Sequence, residues 1–179
     1  MATMASRKRN RRLVEFRTHG PFVLSTAKNA HGREMERLKL RAFWDQAECG
    51  PIARRRGCYV FAIRTSKRFI PYYVGKTGVG FTRECFTPRN VTLYNRALAL
   101  HGKSAKPVLF LICGMSGKNK ARMISEIETF FIQHGADKNP QLLNVKGRPI
   151  AKWRIPGVLR SGGGKPSRAA KALRSTFGL

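Results

Sequence analysis

Two glycine–tyrosine pieces, Gly57-Cys58-Tyr59 and Tyr73-Val74-Gly75, carry the residue types best placed for chemistry in this chain. Each lies in an apolar run of strand length, and Arg64-Thr65-Ser66-Lys67-Arg68 between them reads as a polar turn. Two phenols on neighbouring strands of one hairpin can point to one spot. Downstream, Arg83, Glu128 and Asn144 are available to surround it, with Glu126 as a rival to Glu128 and Asn139 as a rival to Asn144. Everything hangs on the pairing register. With Thr65-Ser66-Lys67 as a three-residue loop, Arg64 faces Arg68, Tyr59 faces Tyr73 and Gly57 faces Gly75. A slip of one residue sends the two rings to opposite faces.

The elements that must position these residues follow from periodicity. Gly57–Thr65 is apolar on both faces, as a strand covered on both sides is. Tyr72 takes the face opposite Tyr73. Thr87-Pro88 opens a helix, with Thr at the N-cap and Pro at the first helical position, and Val91, Tyr94, Ala97 and Leu98 form its apolar stripe up to Gly102. Pro107–Cys113 is a continuous apolar run that predicts a strand beginning at its proline. A second helix is predicted over roughly 119–134, burying Met123, Ile124, Ile127, Phe131 and Ile132 and stopped by Gly135. The order β-β-α-β-α implies a mixed α/β fold: a small three-stranded, mostly antiparallel sheet flanked by helices. Upstream, residues 32–46 read as a helix with Met35, Leu38, Ala42 and Phe43 on one face, closed by Gly50-Pro51. The chain therefore divides into a basic arm (1–12), an N-terminal extension with one helix (13–55), a core (56–149) and a basic C-terminal extension (150–179). In that last part Ile150–Arg160 reads as a strand or extended arm, Gly162-Gly163-Gly164 is a hinge, and Ser167 caps a short helix through Phe177.

Thirty-six Lys and Arg face nine Asp and Glu, a formal charge of +27. The excess is spread along the chain, so the body itself needs a polyanion or a salt atmosphere nearby, and nucleic acid is the first candidate. A membrane partner is disfavoured, since no stretch approaches the ~18 apolar residues of a span and no long basic amphipathic helix is present. Cys49, Cys58, Cys85 and Cys113 form no CxxC pair, and the four histidines are dispersed. The thiols read as reduced, in a cytoplasmic protein.

In its motifs the chain resembles the GIY-YIG nuclease family, with a finer likeness to an uncharacterised bacterial branch of it. Gly57-Cys58-Tyr59 stands for the first motif and Tyr73-Val74-Gly75 for the second. Arg83 follows Tyr73 by ten residues, Glu128 lies in the second predicted helix, and Pro140-Gln141-Leu142-Leu143-Asn144 closes the pattern. The resemblance covers about residues 56–147. It implies a single-metal endonuclease that leaves 5′-phosphate and 3′-hydroxyl ends. Tyr59 would be the general base, Tyr73 would orient water or phosphate, Arg83 would clamp the scissile phosphate, Glu128 would hold one Mg²⁺ (or Mn²⁺), and Asn144 would fix the backbone around the site. The partner is nucleic acid, DNA ahead of RNA. Contacts to it are expected at Lys76, Arg89 and Arg96, at Arg7, Lys8 and Arg9 of the arm, and at Lys165 and Arg168 of the tail.

The chain departs from the pattern at Cys58, where isoleucine is usual, and at Thr87, where histidine or tyrosine is frequent. Pro88 interrupts the helix that displays the arginine, which puts Arg83 on a short turn and leaves Arg89 and Arg96 as substitutes. Two other readings stand beside the nuclease. One is a protein derived from the same fold that binds nucleic acid without cutting it. The other is a structural RNA-associated protein in which the tyrosine motifs are coincidental.

Overall fold

The connection between the two tyrosine strands is one residue longer than expected, and the difference propagates. In a computed structural model, which describes residues 14–29, 32–66, 68–114, 120–147, 155–156, 158 and 165–177, Arg64 faces Phe69, not Arg68. Thr65 closes the turn: its backbone N–H and its hydroxyl both donate to the Arg68 carbonyl, at 2.9 and 3.0 Å. Strands β4 (Gly57–Arg64) and β5 (Phe69–Thr77) then pair in that register as far as Ala62 and Pro71. A β-bulge follows at Tyr72, and beyond it Phe61 faces Tyr73, Tyr59 faces Gly75 and Gly57 faces Thr77. The longer turn alone would put Tyr73 on the wrong face. The bulge adds a second one-residue shift and restores the parity. Tyr59 and Tyr73 thus share a face as diagonal neighbours, where direct partners were expected. The bulge also turns Tyr72 into the same apolar cluster as Tyr59, which corrects its expected placement on the other side.

The sheet has four antiparallel strands where three were expected: β1 (Phe16–Val23), β6 (Lys106–Gly114), β4 and β5, in that spatial order. β6 is central. The added strand, β1, comes from the N-terminal extension and occupies the free edge of β6. Its burial alternates weakly, and Gly20-Pro21 interrupts it, so it carries little strand signal. The extension does not form a separate unit: Phe22, Leu24, Met35, Leu40, Phe43, Cys49 and Ile52 share one buried cluster with Tyr59 and Phe61. Asn95 ties it down by bonding both backbone groups of Met35 (2.8 and 3.0 Å). The single helix expected over 32–46 is a short hairpin, β2 (Ala27–Asn29) with β3 (Gly32–Glu34), followed by α1 (Arg37–Arg41) and a 3-10 turn. Leu38, expected on the buried face, is 74% exposed, and Leu40 is buried in its place.

Both faces of the sheet are covered. On one, α3 (Pro88–Ala99) lays Val91, Tyr94, Ala97 and Leu98 against Tyr59, Phe61, Leu109 and Leu111. Tyr94 stacks on Phe61 with centroids 4.1 Å apart. Thr87 caps α3, its hydroxyl accepting from the Asn90 N–H at 3.3 Å. On the other face, α4 (Lys120–Lys138) packs Ile127, Phe131 and Ile132 over Cys58, Val74 and Ile112. Gly135 does not stop α4. It lies inside the helix where Leu142 passes close by: a Cβ there would sit 3.3 Å from the leucine. A four-residue helix, α2 (Phe81–Glu84), precedes α3, and α5 (Arg168–Phe177) ends the described chain, with Ser167 accepting from Ala170 N–H at 3.1 Å. Arg7, Lys8 and Arg9, the glycine hinge and most of the Ile150–Arg160 segment lie outside the described residues. Among the described residues no helix is long and apolar enough to cross a membrane.

Candidate functional site

Tyr59 sits in the middle of β4 and is 2% exposed. Its ring lies directly over Gly75, the residue across from it, and a Cβ at Gly75 would overlap the ring and its hydroxyl. The second motif's glycine is therefore the seat of the first motif's tyrosine. The Tyr59 hydroxyl accepts from Asn90 Nδ2 at 2.9 Å. That amide also donates to the Glu84 carbonyl at 2.7 Å, which the Tyr59 hydroxyl itself approaches at 3.5 Å. Asn90 is buried and belongs to the first turn of α3, so the Thr87 cap sets its position. It is the functional-site residue that motif reasoning missed. Its signal was present: positions 90, 94 and 97 share one helix face, and Asn90 is the polar member of an otherwise apolar stripe.

Tyr73 is half-buried, its ring centroid 6.2 Å from that of Tyr59. Burial raises its phenol above the ordinary value. The Arg89 guanidinium and the polar Tyr59 side chain pull it down, and Glu128 pushes it up. Tyr59 is raised well above the ordinary value, first by burial and then by Cys85 and Tyr73, with the Asn90 bond opposing. Of the two phenols, Tyr73 is the one with a cation beside it and a path to solvent.

Arg83 is on α2, on the short turn that Pro88 implied, and is exposed. Its chain neighbour Glu84 supplies the carbonyl on which Asn90 and Tyr59 meet, so Arg83 stands at the rim. The arginine whose charge acts on Tyr73 is Arg89. Arg96, two turns along α3, is exposed.

Glu128 is carried by α4, across the sheet from the tyrosines, next to edge strand β5. Its carboxylate pairs with Lys76 Nζ at 3.0 Å, and Lys76 also donates to Ser125 Oγ at 3.0 Å. Glu128 still acts electrostatically on both Tyr73 and Cys58, whose thiol burial, chiefly, pushes up to about 12. Glu126 does neither; it is solvent-facing and pairs with Arg122. Among the described residues, no group of three His, Cys, Asp or Glu side chains could enclose a metal. A lone, 20% exposed carboxylate nevertheless suits Mg²⁺, which keeps several waters and takes one or two protein carboxylates, provided that the Lys76 ammonium gives way.

Asn144 is buried and bonds both backbone groups of Val74, accepting from its N–H at 2.9 Å and donating to its carbonyl at 2.7 Å. Leu143 N–H donates to the Tyr72 carbonyl (2.7 Å), and Asn139 Nδ2 to that of Pro71 (2.8 Å). Residues 139–144 thereby cover the free edge of β5, as a fifth strand would. Both asparagines hold the tyrosine strand: Asn139 at the bulge, Asn144 one residue past Tyr73. An Asn144→Ala variant would leave two buried groups of Val74 unpaired. We expect a loss of about 3 kcal/mol in urea unfolding and faster amide exchange at Val74. Unchanged exchange there would show that another group replaces the asparagine. No protein-family model, curated protein or solved structure matches this chain.

Proposed function

We propose that this chain is a metal-dependent endonuclease of the GIY-YIG kind, hydrolysing phosphodiester bonds in nucleic acid, DNA ahead of RNA. The observation that supports it is the meeting of Tyr59, Tyr73 and Asn90 on one face, with the charges of Arg89 and Glu128 acting on the Tyr73 phenol. The charge of +27 supplies affinity for the polyanion.

In this reading Arg89 binds the scissile phosphate through its planar fork, with Arg83 at the rim as a second cation. Glu128 would hold Mg²⁺ or Mn²⁺, which when bound supplies positive charge to the phosphate oxygens. The resemblance gives the proton of the attacking water to Tyr59. Burial argues for Tyr73 instead: it is the more exposed phenol and has the charge of Arg89 acting on it, while the Tyr59 oxygen is already engaged by Asn90. Tyr59 then acts as the fixed partner that orients Tyr73.

The test is nicking of plasmid DNA and of RNA with Mg²⁺, Mn²⁺ or EDTA. Cleavage is expected with either metal and lost in EDTA, and Glu128→Ala should lower it by two orders of magnitude or more. Equal cleavage by Glu128→Ala would remove that carboxylate from the site.

A second reading has its own observation. Lys76 occupies Glu128 at 3.0 Å, and α4 lies across the sheet from the tyrosines, as suits a protein that binds nucleic acid without cutting it. It predicts tight, salt-sensitive binding with no cleavage under any metal.

A further inference from the structure

We infer that Arg54, Arg55 and Arg56 form a phosphate-binding track for the nucleic-acid backbone, leading up to the tyrosine site from the start of β4. The three side chains are consecutive and exposed, and Gly57 and the first tyrosine motif follow at once. Arg56 immediately precedes β4 and is three residues from Tyr59, roughly 10 Å of extended chain. Among the described residues none of the three is in an ion pair; the paired cations are Arg17, Lys39, Lys76 and Arg122.

The run is held against the rim of the site. The Thr82 N–H donates to the Ala53 carbonyl at 3.0 Å. Gly80 lies so close to Arg54 that a Cβ there would meet its carbonyl oxygen at 3.2 Å, and its φ of 133° suits glycine. Thr77, buried, fixes this turn: its hydroxyl accepts from Val79 and Gly80 N–H (3.1 and 2.8 Å) and donates to the Gly80 carbonyl (3.0 Å). α2 therefore starts beside the run, and exposed Arg83 continues the same cationic surface. Among the described residues these four guanidiniums are in no ion pair, so they gather a high density of like charge, and a phosphate chain is the ligand that relieves it.

The inference rests on the nucleic-acid part of the proposed function and is independent of cleavage. Its test is the salt dependence of binding, read by fluorescence anisotropy with the full chain. The probes are a labelled 20-base-pair DNA duplex and one of its strands alone, between 50 and 200 mM KCl. Neutralising three phosphate contacts lowers the slope of log K against log salt by about 2.7 for duplex and about 2.1 for a single strand. For duplex, the affinity lost over that range shrinks by about 40-fold. The triple variant Arg54→Ser, Arg55→Ser, Arg56→Ser should show this reduction, and the triple Lys variant should restore the parent slope. A control removes the same charge at the far end of the sheet, with Arg64→Ser, Arg68→Ser and Lys106→Ser, all exposed. It should move the slope by less than one.

Equal slopes for the two Ser triples, or no change in either, would overturn the track and leave only diffuse attraction. Loss of binding to phosphatidylserine vesicles with unchanged oligonucleotide slopes would identify a membrane contact and also overturn it. Absence of nicking with the predicted slopes would sink the nuclease and leave the track standing.

Discussion

A Gly57→Ala variant is expected to lose about 3 kcal/mol of stability or more, seen as a fall in melting temperature of about 6–12 °C. Gly57 pairs with Thr77 on one side and Cys113 on the other, in the interior of the sheet. A Cβ there would overlap the Ile112 carbonyl oxygen and lie 2.8 Å from the Phe81 ring. The oxygen is main chain of the central strand, so no side-chain rotation relieves the contact; β4 and β6 must separate. Phe81 is itself fully buried at the start of α2, so the strain reaches the helix that carries Arg83. Gly78→Ala is the control, because nothing lies within 4 Å of a Cβ at that position. A Gly57→Ala protein that melts with the Gly78→Ala protein would show that the strands do not approach so closely.

The two motif glycines thus have separate physical duties, and only their presence is visible in the sequence. Gly57 admits the neighbouring strand, and Gly75 admits the Tyr59 ring. Motif spacing implied that the tyrosines would meet, and they do, but by a route that pattern reading does not give. The apolar alternation of β5 is silent on a bulge, because Tyr72 and Tyr73 are equally plausible on either face. The bulge follows from packing: Tyr72 fills the main cluster and its hydroxyl meets His101 Nε2 at 2.8 Å. Helices with capping signals were legible. Thr87-Pro88 announced α3, and Ser167 announced α5. β1 was not, because an eight-residue edge strand broken by Gly20-Pro21 depends on β6 for its partners.

For the site, element and residue type were legible more often than side-chain direction. Asn144 holds the tyrosine strand by both backbone groups of Val74. Arg83, ten residues after Tyr73, stops at the rim, because Pro88 begins a new helix and confines it to α2. The same proline sets the phase of α3, which carries Arg89 toward Tyr73 and Asn90 under Tyr59. Glu128 was preferred over Glu126 by pattern; on α4 Glu128 is the less exposed of the two and pairs with Lys76, while Glu126 points to solvent and pairs with Arg122. The ion pair with Lys76 could not be read in advance. It depends on residue 76 sharing a sheet face with Cys58 and Val74, which the bulge decides.

The Tyr73→Phe variant is expected to lower nicking by two to four orders of magnitude, the range for removing a general base, with little change in melting temperature. Tyr73 is half-buried, and the buried Tyr59 hydroxyl near it keeps its bond from Asn90, so deleting the Tyr73 oxygen strands no buried group. Tyr59→Phe is the less clean variant: it removes the acceptor of the buried Asn90 amide, and a stability loss of about 1–2 kcal/mol would accompany any loss of rate. The pH profile separates the two roles. A base must be deprotonated to act, and burial holds the Tyr73 phenol above its ordinary value in spite of Arg89. The rate should therefore climb about tenfold per pH unit through neutrality, with no plateau below about pH 10. Arg89→Ala removes the cation that lowers Tyr73, so its ionisation moves further up and the rate at any fixed pH below the plateau falls. Arg89→Lys keeps the charge and should retain the profile while weakening phosphate binding, because a point charge replaces the fork. A profile that levels near pH 7 in the parent, or Tyr73→Phe cleavage at the parent rate, would exclude Tyr73 as the base. Losing the high-pH limb only in Tyr59→Phe would return that role to the buried tyrosine.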